Sequence, residues 1–336
     1  MKNTIIKTAL FLFAALSFVG CETVVEFKGE YMEPQMVLYS VVTAGEPVRV
    51  HLSNSVFILD EATPTKQTGA EVELYVDGEF VERLTEVDYD EVITEVVGDY
   101  VYTETINHHY YEGKHTCSSG DEVEIRARHQ NFEGEVRGKT IIPEKAHTGD
   151  LSATISPQEE DEYSSSTIKG NVYCPITDEA GVANYYLLHG YVRLQMPSDD
   201  NGNLYYYERW FGYDNEIVFT GADTNEMFED LLGTTRHLGA DVVFDDSLID
   251  GEEDYPLTMT YGFLEQEGVE EPIFRVECWQ IDEHLYKYLR SVELAESDNF
   301  ISEPVQIHSN IEGGIGLVGS RSALVLRTLP FSEAKR

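Results

Sequence analysis

Apolar and charged residues alternate along residues 70–76, directly before an Asp77-Gly78 pair. A period of two places every second side chain on the same face, which is typical of a β-strand with one buried face. Asp-Gly favours the tight turn of a hairpin. The same alternation returns at residues 122–128. Because this period is far more frequent in the chain than the helical period of 3.6, we predict a mainly β fold.

Turn residues divide the alternating segments into short strands, spaced as in a β-sandwich. Pro143 ends the first set, and a polar stretch with an acidic run at residues 159–162 follows it. A chain of 336 residues also exceeds the usual size of one domain. We therefore predict an N-terminal β-sandwich domain of immunoglobulin-like type at residues 35–147 and a C-terminal β-rich domain at residues 148–336.

Helical periodicity is confined to the second half of the chain. Ile281, Leu285 and Leu289 fall on one face of a segment at residues 281–296, and residues 226–232 carry a weaker version of the pattern. The fold class predicted is therefore mainly β, with two β-sandwich-like domains and one or two short helices in the C-terminal half.

The first residues have the three regions of an export signal. Lys2 and Lys7 supply positive charge, a short apolar stretch follows, and a glycine precedes Cys21. The apolar stretch is shorter than the roughly 20 residues that a membrane-spanning helix needs. We predict a lipoprotein signal peptide at residues 1–20, diacylglycerol and palmitate on Cys21, and a tether at residues 21–34. Several acyl chains would anchor the protein stably in the outer membrane.

The charge of the chain excludes one class of partner. Removing Lys2 and Lys7 leaves 21 basic residues against 62 acidic residues, a net charge of −41. A polyanion of this size repels phosphate backbones, so we expect no binding to nucleic acid. The hydrophobic fraction of 42% is that of a folded protein.

Three cysteines remain besides the one expected to carry lipid: Cys117, Cys174 and Cys278. At most one disulfide can form among them, and its pairing is left open.

Several local patterns resemble a known family. They are the segment at residues 178–186, Phe244-Asp245-Asp246-Ser247 followed by Gly251, and Glu303-Pro304-Val305 followed by residues 309–316. In these segments the chain resembles Bacteroidota envelope lipoproteins catalogued as domain of unknown function 4249. The resemblance implies an envelope lipoprotein, often encoded beside a TonB-dependent outer-membrane receptor, with no established enzyme activity and no assigned functional residues.

Two motifs that suggest enzymes fail on their context. Residues 314–319 match the glycine fingerprint of dinucleotide sites, but such a site also needs a following helix and an acidic residue about 20 positions on. We expect these glycines to let a strand pack closely on its neighbours. Ser166 and Lys169 have the spacing of a serine–lysine dyad, which works on a helix, whereas this segment has the pattern of a strand.

Two groups of potential metal ligands also lack the spacing of a known metal site. His108, His109, His115 and Cys117 lie close in sequence but not at a standard zinc spacing. The acidic and amide residues at 199–203 alternate as in a calcium loop, but they lack its sixth-position glycine and its final acidic ligand. We expect no cofactor, apart from weak calcium binding by an acidic surface.

The most suggestive feature is a run of aromatic residues at 205–213, with two tyrosines on a predicted neighbouring strand. Tyr and Trp are frequent at binding surfaces because their flat rings bury area at small entropic cost. The alternative is that they pack across the sheet and stabilise it. The residues predicted to contact a ligand or partner are Tyr185, Tyr186, Tyr205, Tyr207, Trp210 and Tyr213.

The predicted function is a non-enzymatic outer-membrane lipoprotein that serves as an accessory or ligand-capture partner of a TonB-dependent receptor. One alternative is an envelope hydrolase that acts on a polymer, and another is a structural or adhesive surface lipoprotein. The sequence leaves open whether the protein faces the periplasm or the cell surface.

Overall fold

The computed structural model describes residues 32–57, 62–97, 100–156, 167–196, 205–213, 217–219, 241–264, 271–297 and 305–335. The chain forms two compact units. One comprises Met1–Glu33 with Phe57–Leu59, and the other comprises Pro34–Val56 with Asp60–Arg336. The second unit holds every element described below. The predicted signal peptide, Cys21, most of the tether and the weaker helix at 226–232 lie outside the described residues.

The described residues form eighteen strands and one α-helix, which confirms the mainly β fold. The first nine strands are β1 Met36–Thr43, β2 Pro47–Asn54, β3 Glu71–Val76, β4 Glu79–Arg83, β5 Thr85–Val97, β6 Tyr100–Thr116, β7 Glu122–Arg128, β8 Val136–Ile141 and β9 His147–Thr148. The remaining elements are β10 Ser152–Ile155, β11 Thr167–Thr177, β12 Tyr185–Met196, β13 Tyr205–Trp210, β14 Asp241–Asp245, β15 Tyr255–Leu264, β16 Ile273–Ile281, helix α1 Glu283–Ser297, β17 Ile315–Arg321 and β18 Val325–Pro330.

Ten strands form one large sheet, in the order β13-β12-β16-β17-β1-β2-β6-β5, with β14 also paired to β12 and β18 to β16. Strand β1 runs parallel to β17, and the other pairs are antiparallel. This sheet therefore includes strands from both sides of residue 147, where sequence placed a domain boundary. That division into two domains stays a prediction.

Two smaller sheets each share a core with the large sheet. The sheet β4-β3-β7-β8 packs with β1 and β2 around one core, and the sheet β10-β11-β15, with β9, packs with β12, β16 and β18 around another. The alternation in sequence accounts for these cores. In β2, for example, Val48, Val50 and Leu52 are buried, while the residues between them are exposed. Each such buried side chain contributes about 1.5–3 kcal/mol.

The glycines at residues 314–319 belong to this packing and not to a nucleotide loop. A Cβ atom on Gly316 would overlap the carbonyl oxygen of Leu38 on the parallel neighbour, and φ of Gly316 is +122°. A Cβ atom on Gly319 would lie 2.9 Å from Cβ of Leu285 in α1. The expectation that these glycines allow close strand packing is confirmed.

Helix α1 begins two residues later than its sequence pattern, because Ile281 is the last residue of β16. Asp282 caps the helix, since its carboxylate accepts hydrogen bonds from the backbone N–H groups of His284 at 3.2 Å and Leu285 at 3.1 Å. Leu285 and Leu289 are fully buried against the large sheet, in a third core that also contains Leu317.

Candidate functional site

The aromatic run lies on β13, the first strand of the large sheet, and β13 pairs with β12 so that Trp210 is opposite Tyr191 and Tyr207 is opposite Leu194. Because side chains alternate along a strand, Tyr206 and Tyr207 point to opposite faces. Both are about half exposed, at 52% and 53%. The pair presents large aromatic rings to solvent at this end of the sheet.

Two of the predicted contact residues are core residues in the structure. The ring of Tyr186 stacks on Phe244 with centroids 5.2 Å apart, and its hydroxyl donates to Asp178 Oδ1 at 2.7 Å. Tyr213 is also buried, and its hydroxyl accepts a hydrogen bond from the Gly190 N–H at 3.1 Å. The prediction is corrected here, because a buried ring that packs in the core offers no surface to a ligand.

Tyr185 occupies a different place from the β13 residues. Its ring stacks on Tyr286 of α1 with centroids 4.6 Å apart. It lines a separate cleft of about 500 Å³, together with Glu283 and His284 at the start of that helix. The structure therefore does not bring Tyr185 together with Trp210. The side chain of Tyr205, the remaining predicted contact residue, lies outside the described part of the chain.

A cleft of about 460 Å³ lies between the end of β13 and the strands β11 and β15. We call it the β13 cleft. The antiparallel bridge between Gly212 and Thr260 joins the two sides, with N–H···O distances of 2.7 and 2.8 Å. The polar and aromatic residues that line it include Ser156, Lys169, Asn171, Arg209, Trp210 and Thr260.

The β13 cleft is cationic in a protein with an excess of acid. Lys169 and Arg209 line it, and no carboxylate is among its described lining residues. Both cations are exposed, and neither forms an ion pair with a described residue. Arg193 shows the usual arrangement on the neighbouring strand, since its Nε lies 2.9 Å from Glu208 Oε1. Among the described residues, the cleft therefore holds two positive charges without a carboxylate partner.

Sequence reasoning missed Lys169 and Arg209 as a pair. Lys169 was weighed only as a member of a dyad with Ser166, and Ser166 lies outside the described residues. Arg209 lies within the aromatic run, where the prediction of contact residues considered only the aromatic side chains. Lys169 is opposite Gly262 on β15, and the bridge at Thr260 brings β13 to that strand. No local pattern in the sequence signals this contact.

A buried polar network lies behind Trp210. Nδ1 of His189 is 2.5 Å from Asp241 Oδ1, and the His189 ring is 5.0 Å from the Trp210 ring between centroids. On the same strand, the hydroxyl of Tyr191 donates to Glu277 Oε1 at 3.1 Å. The Nε2 atom of His189 has no hydrogen-bond partner among the described residues. A His–Asp pair can orient an imidazole for proton transfer, but this ring is only 4% exposed.

The histidines and the cysteine weighed as a metal site do not converge. His108 Nε2 contacts Glu91 at 2.8 Å, and His109 Nε2 contacts Glu86 at 2.9 Å. Cys117 is buried, and burial raises the pKa of its thiol to about 11, whereas zinc binds the thiolate. No cluster of three or more metal-ligating side chains occurs in the part of the chain that the structure describes. The predicted calcium loop at 199–203 lies outside it.

The three cysteines among which sequence allowed one disulfide are all free and buried in the structure. Cys174 and Cys278 lie in the core under the large sheet, and Cys117 lies in the core of the N-terminal strands.

Comparison with known proteins identifies the family to which this β protein belongs. The model of a family described as "Domain of unknown function (DUF4249)" matches residues 22–325. The protein is a member of that family, and the resemblance drawn from sequence segments is confirmed. A search of curated proteins finds no match. Among the described residues, no helix has the length and apolar character to cross a membrane.

Proposed function

We propose that this protein is an outer-membrane lipoprotein, anchored through lipid on Cys21, that captures a ligand for a TonB-dependent receptor without catalysing a reaction. The observation that carries the proposal is the surface at β13, where Tyr206 and Tyr207 expose their rings on opposite faces of the strand and Arg209 and Lys169 line a cleft whose described lining residues include no carboxylate. Exposed aromatic residues around a polar cleft are typical of binding surfaces.

The site has the composition of a binding surface, and among its described residues no nucleophile is hydrogen-bonded to a base. The His189–Asp241 pair is the observation that favours the alternative of an envelope hydrolase. A hydrolase would have to expose that imidazole to its substrate, whereas Trp210 and Tyr191 pack against it at centroid distances of 5.0 and 5.1 Å. Ligand capture requires no such rearrangement.

The anchor is tested by labelling cells with a palmitate analogue. We expect Cys21→Ser to lose the label and to move the protein from the membrane fraction to the soluble fraction, because alkylation needs the thiol. Cys117→Ser is the matched control. It should keep the label and stay in the membrane fraction, since Cys117 is a core residue. Label on the Cys21→Ser protein would overturn the anchoring proposal.

The partner is tested by affinity purification of the lipidated protein from native membranes in mild detergent, with mass spectrometry of whatever is bound. We expect the wild type to recover a stoichiometric amount of a TonB-dependent receptor. The double variant Tyr206→Ala/Tyr207→Ala should recover at least tenfold less receptor. Phe80→Ala removes a ring of similar exposure, 55%, from another sheet and serves as the control.

The other outcomes separate the alternatives. Recovery of the protein alone would overturn the receptor partnership. Turnover of an envelope polymer that depends on His189 would support the hydrolase. Strong self-association or cell adhesion, with neither receptor nor turnover, would support a structural or adhesive role.

A further inference from the structure

The β13 cleft carries an inference about the class of ligand, which rests on the proposed role in ligand capture. We propose that this cleft binds an acidic saccharide, with the carboxylate held by Arg209 and Lys169 and the sugar ring beside Tyr207.

The charges show why the ligand is an anion. The chain carries a formal net charge of −39, so cations on its surface have many carboxylates to pair with. Lys169 and Arg209 nevertheless face the same cleft with no carboxylate among its described lining residues. At physiological ionic strength, charges more than about 8 Å away are largely screened, so a bound group interacts most strongly with the charges that line the cleft, and the charged residues among the described lining are these two cations. A guanidinium also matches a carboxylate with two parallel hydrogen bonds.

The other groups at the cleft suit a sugar. Tyr207 does not line the cleft itself, but it lies two residues before Arg209 on the same face of β13, and its half-exposed ring can cover the apolar face of a pyranose whose carboxylate is held in the cleft. Ser156 and Asn171 line the cleft and can exchange hydrogen bonds with hydroxyl groups. A volume of about 460 Å³ lies within the range of small-molecule sites.

An acidic peptide is the less suitable occupant. An extended peptide gains its affinity by pairing with a free strand edge. Strand β11 is already paired on both sides, by β10 and β15, and the bridge from Gly212 to Thr260 occupies the edge of β15 at the cleft. Strand β11, which carries Lys169 and Asn171, therefore offers no open edge at the cleft. Free phosphate would be bound by the cations but would leave the aromatic ring unused.

Gly262 allows a test that leaves the fold intact. A Cβ atom built there would have its nearest neighbour at 3.6 Å, the Cγ atom of Lys169, and no positive φ restricts the residue. The first atom of a side chain therefore fits there without strain, and a larger side chain would project towards the residues that line the cleft. Gly170, by contrast, is a packing glycine, because a Cβ atom on it would overlap the carbonyl oxygen of Thr154.

The experiment is calorimetric titration of the lipidated full chain in mild detergent with tetrasaccharides of galacturonate, glucuronate, mannuronate and guluronate. We expect at least one to bind with Kd below 1 mM, and its fully methyl-esterified form to bind at least tenfold more weakly. Gly262→Phe and Lys169→Glu/Arg209→Glu should each weaken binding at least tenfold. Lys114→Glu, which reverses an exposed lysine outside the cleft, should stay within twofold. Thermal unfolding of every variant confirms that it is folded.

Several results would overturn the inference. These are the absence of binding by all four acidic saccharides, equal binding of the methyl ester, or unchanged binding by folded Gly262→Phe. Equal or tighter binding of inorganic phosphate or of tetraglutamate would assign the cleft to another anion. Saccharide binding without a receptor would leave this inference standing and overturn only the partnership. Recovery of the receptor by both the wild type and Gly262→Phe, with no saccharide bound by either, would overturn this inference and leave the receptor partnership standing.

Discussion

The Nδ1 atom of His189 lies 2.5 Å from Oδ1 of Asp241, and both side chains are 5% exposed. The two residues are on the paired strands β12 and β14, directly opposite each other. Tertiary structure thus places a polar pair where the neighbouring positions on the same face, Leu187 and Val243, are apolar. Such a pair fixes the register of two strands, because any shift would leave both groups buried without a partner.

Removing one member of this pair should destabilise the fold. Asp241→Ala leaves the imidazole of His189 buried without its acceptor, so we expect the free energy of unfolding to fall by about 2 kcal/mol. Asp241→Asn keeps a side-chain oxygen and should lose less. Urea denaturation of the Cys21→Ser form measures both losses of stability. Equal losses in the two variants would show that the hydrogen bond is not the cause.

The hydroxyl of Tyr186 should contribute to stability and that of Tyr207 should not. Tyr186→Phe removes the bond to Asp178, which keeps hydrogen bonds from Asn184 at 3.1 Å and from Gly251 at 3.2 Å. The expected loss is therefore only about 1 kcal/mol. Tyr207→Phe is the matched control, because that residue is 53% exposed, and its unfolding midpoint in urea should match the wild type. A larger effect at Tyr207 would contradict this assignment.

Acid should weaken the fold partly through Glu124. A hydrogen bond from Arg126 holds the pKa of this buried carboxyl below its ordinary value of 4.5, and a second from Lys139 acts in the same direction. A lowered pKa means that the ion pair stabilises the protein above the ordinary value, and that this contribution is lost as pH falls through the folded-state pKa. We expect Glu124→Gln to be less stable at pH 7 and to lose less stability between pH 5 and pH 3. Parallel pH profiles from urea denaturation would contradict this.

The three internal thiols should be inert in the native protein. Burial raises the pKa of Cys117 to about 11 and that of Cys174 to about 12, so little reactive thiolate exists near neutral pH. With Ellman's reagent at pH 8, we expect no reaction of the folded Cys21→Ser form and three equivalents after denaturation without reductant. Recovery of a single equivalent would instead reveal a disulfide.

Sequence predicted local elements well because their causes are local. Alternation identified β3 and β7, and the apolar face with Leu285 and Leu289 identified α1. The parallel pairing of β1 with β17 was not predictable, since nothing in either strand specifies a partner so distant in the chain. The aromatic run shows a similar limit. A single strand does not reveal which residues will be covered, so Tyr213 is a core residue while Tyr206, in the same aromatic run, is exposed.

The pairing of β1 with β17 also has a consequence for the order in which the protein can fold. Thr43 lies opposite Arg321, and Arg321 Nε donates to the Thr43 hydroxyl across a separation of 278 residues. Closing so long a loop costs entropy before any contact rewards it, which slows folding. The centre of the large sheet cannot close until β17 has been synthesised. Until then β1 has one unpaired strand edge, and the hazard of aggregation is greatest before the last strands are made.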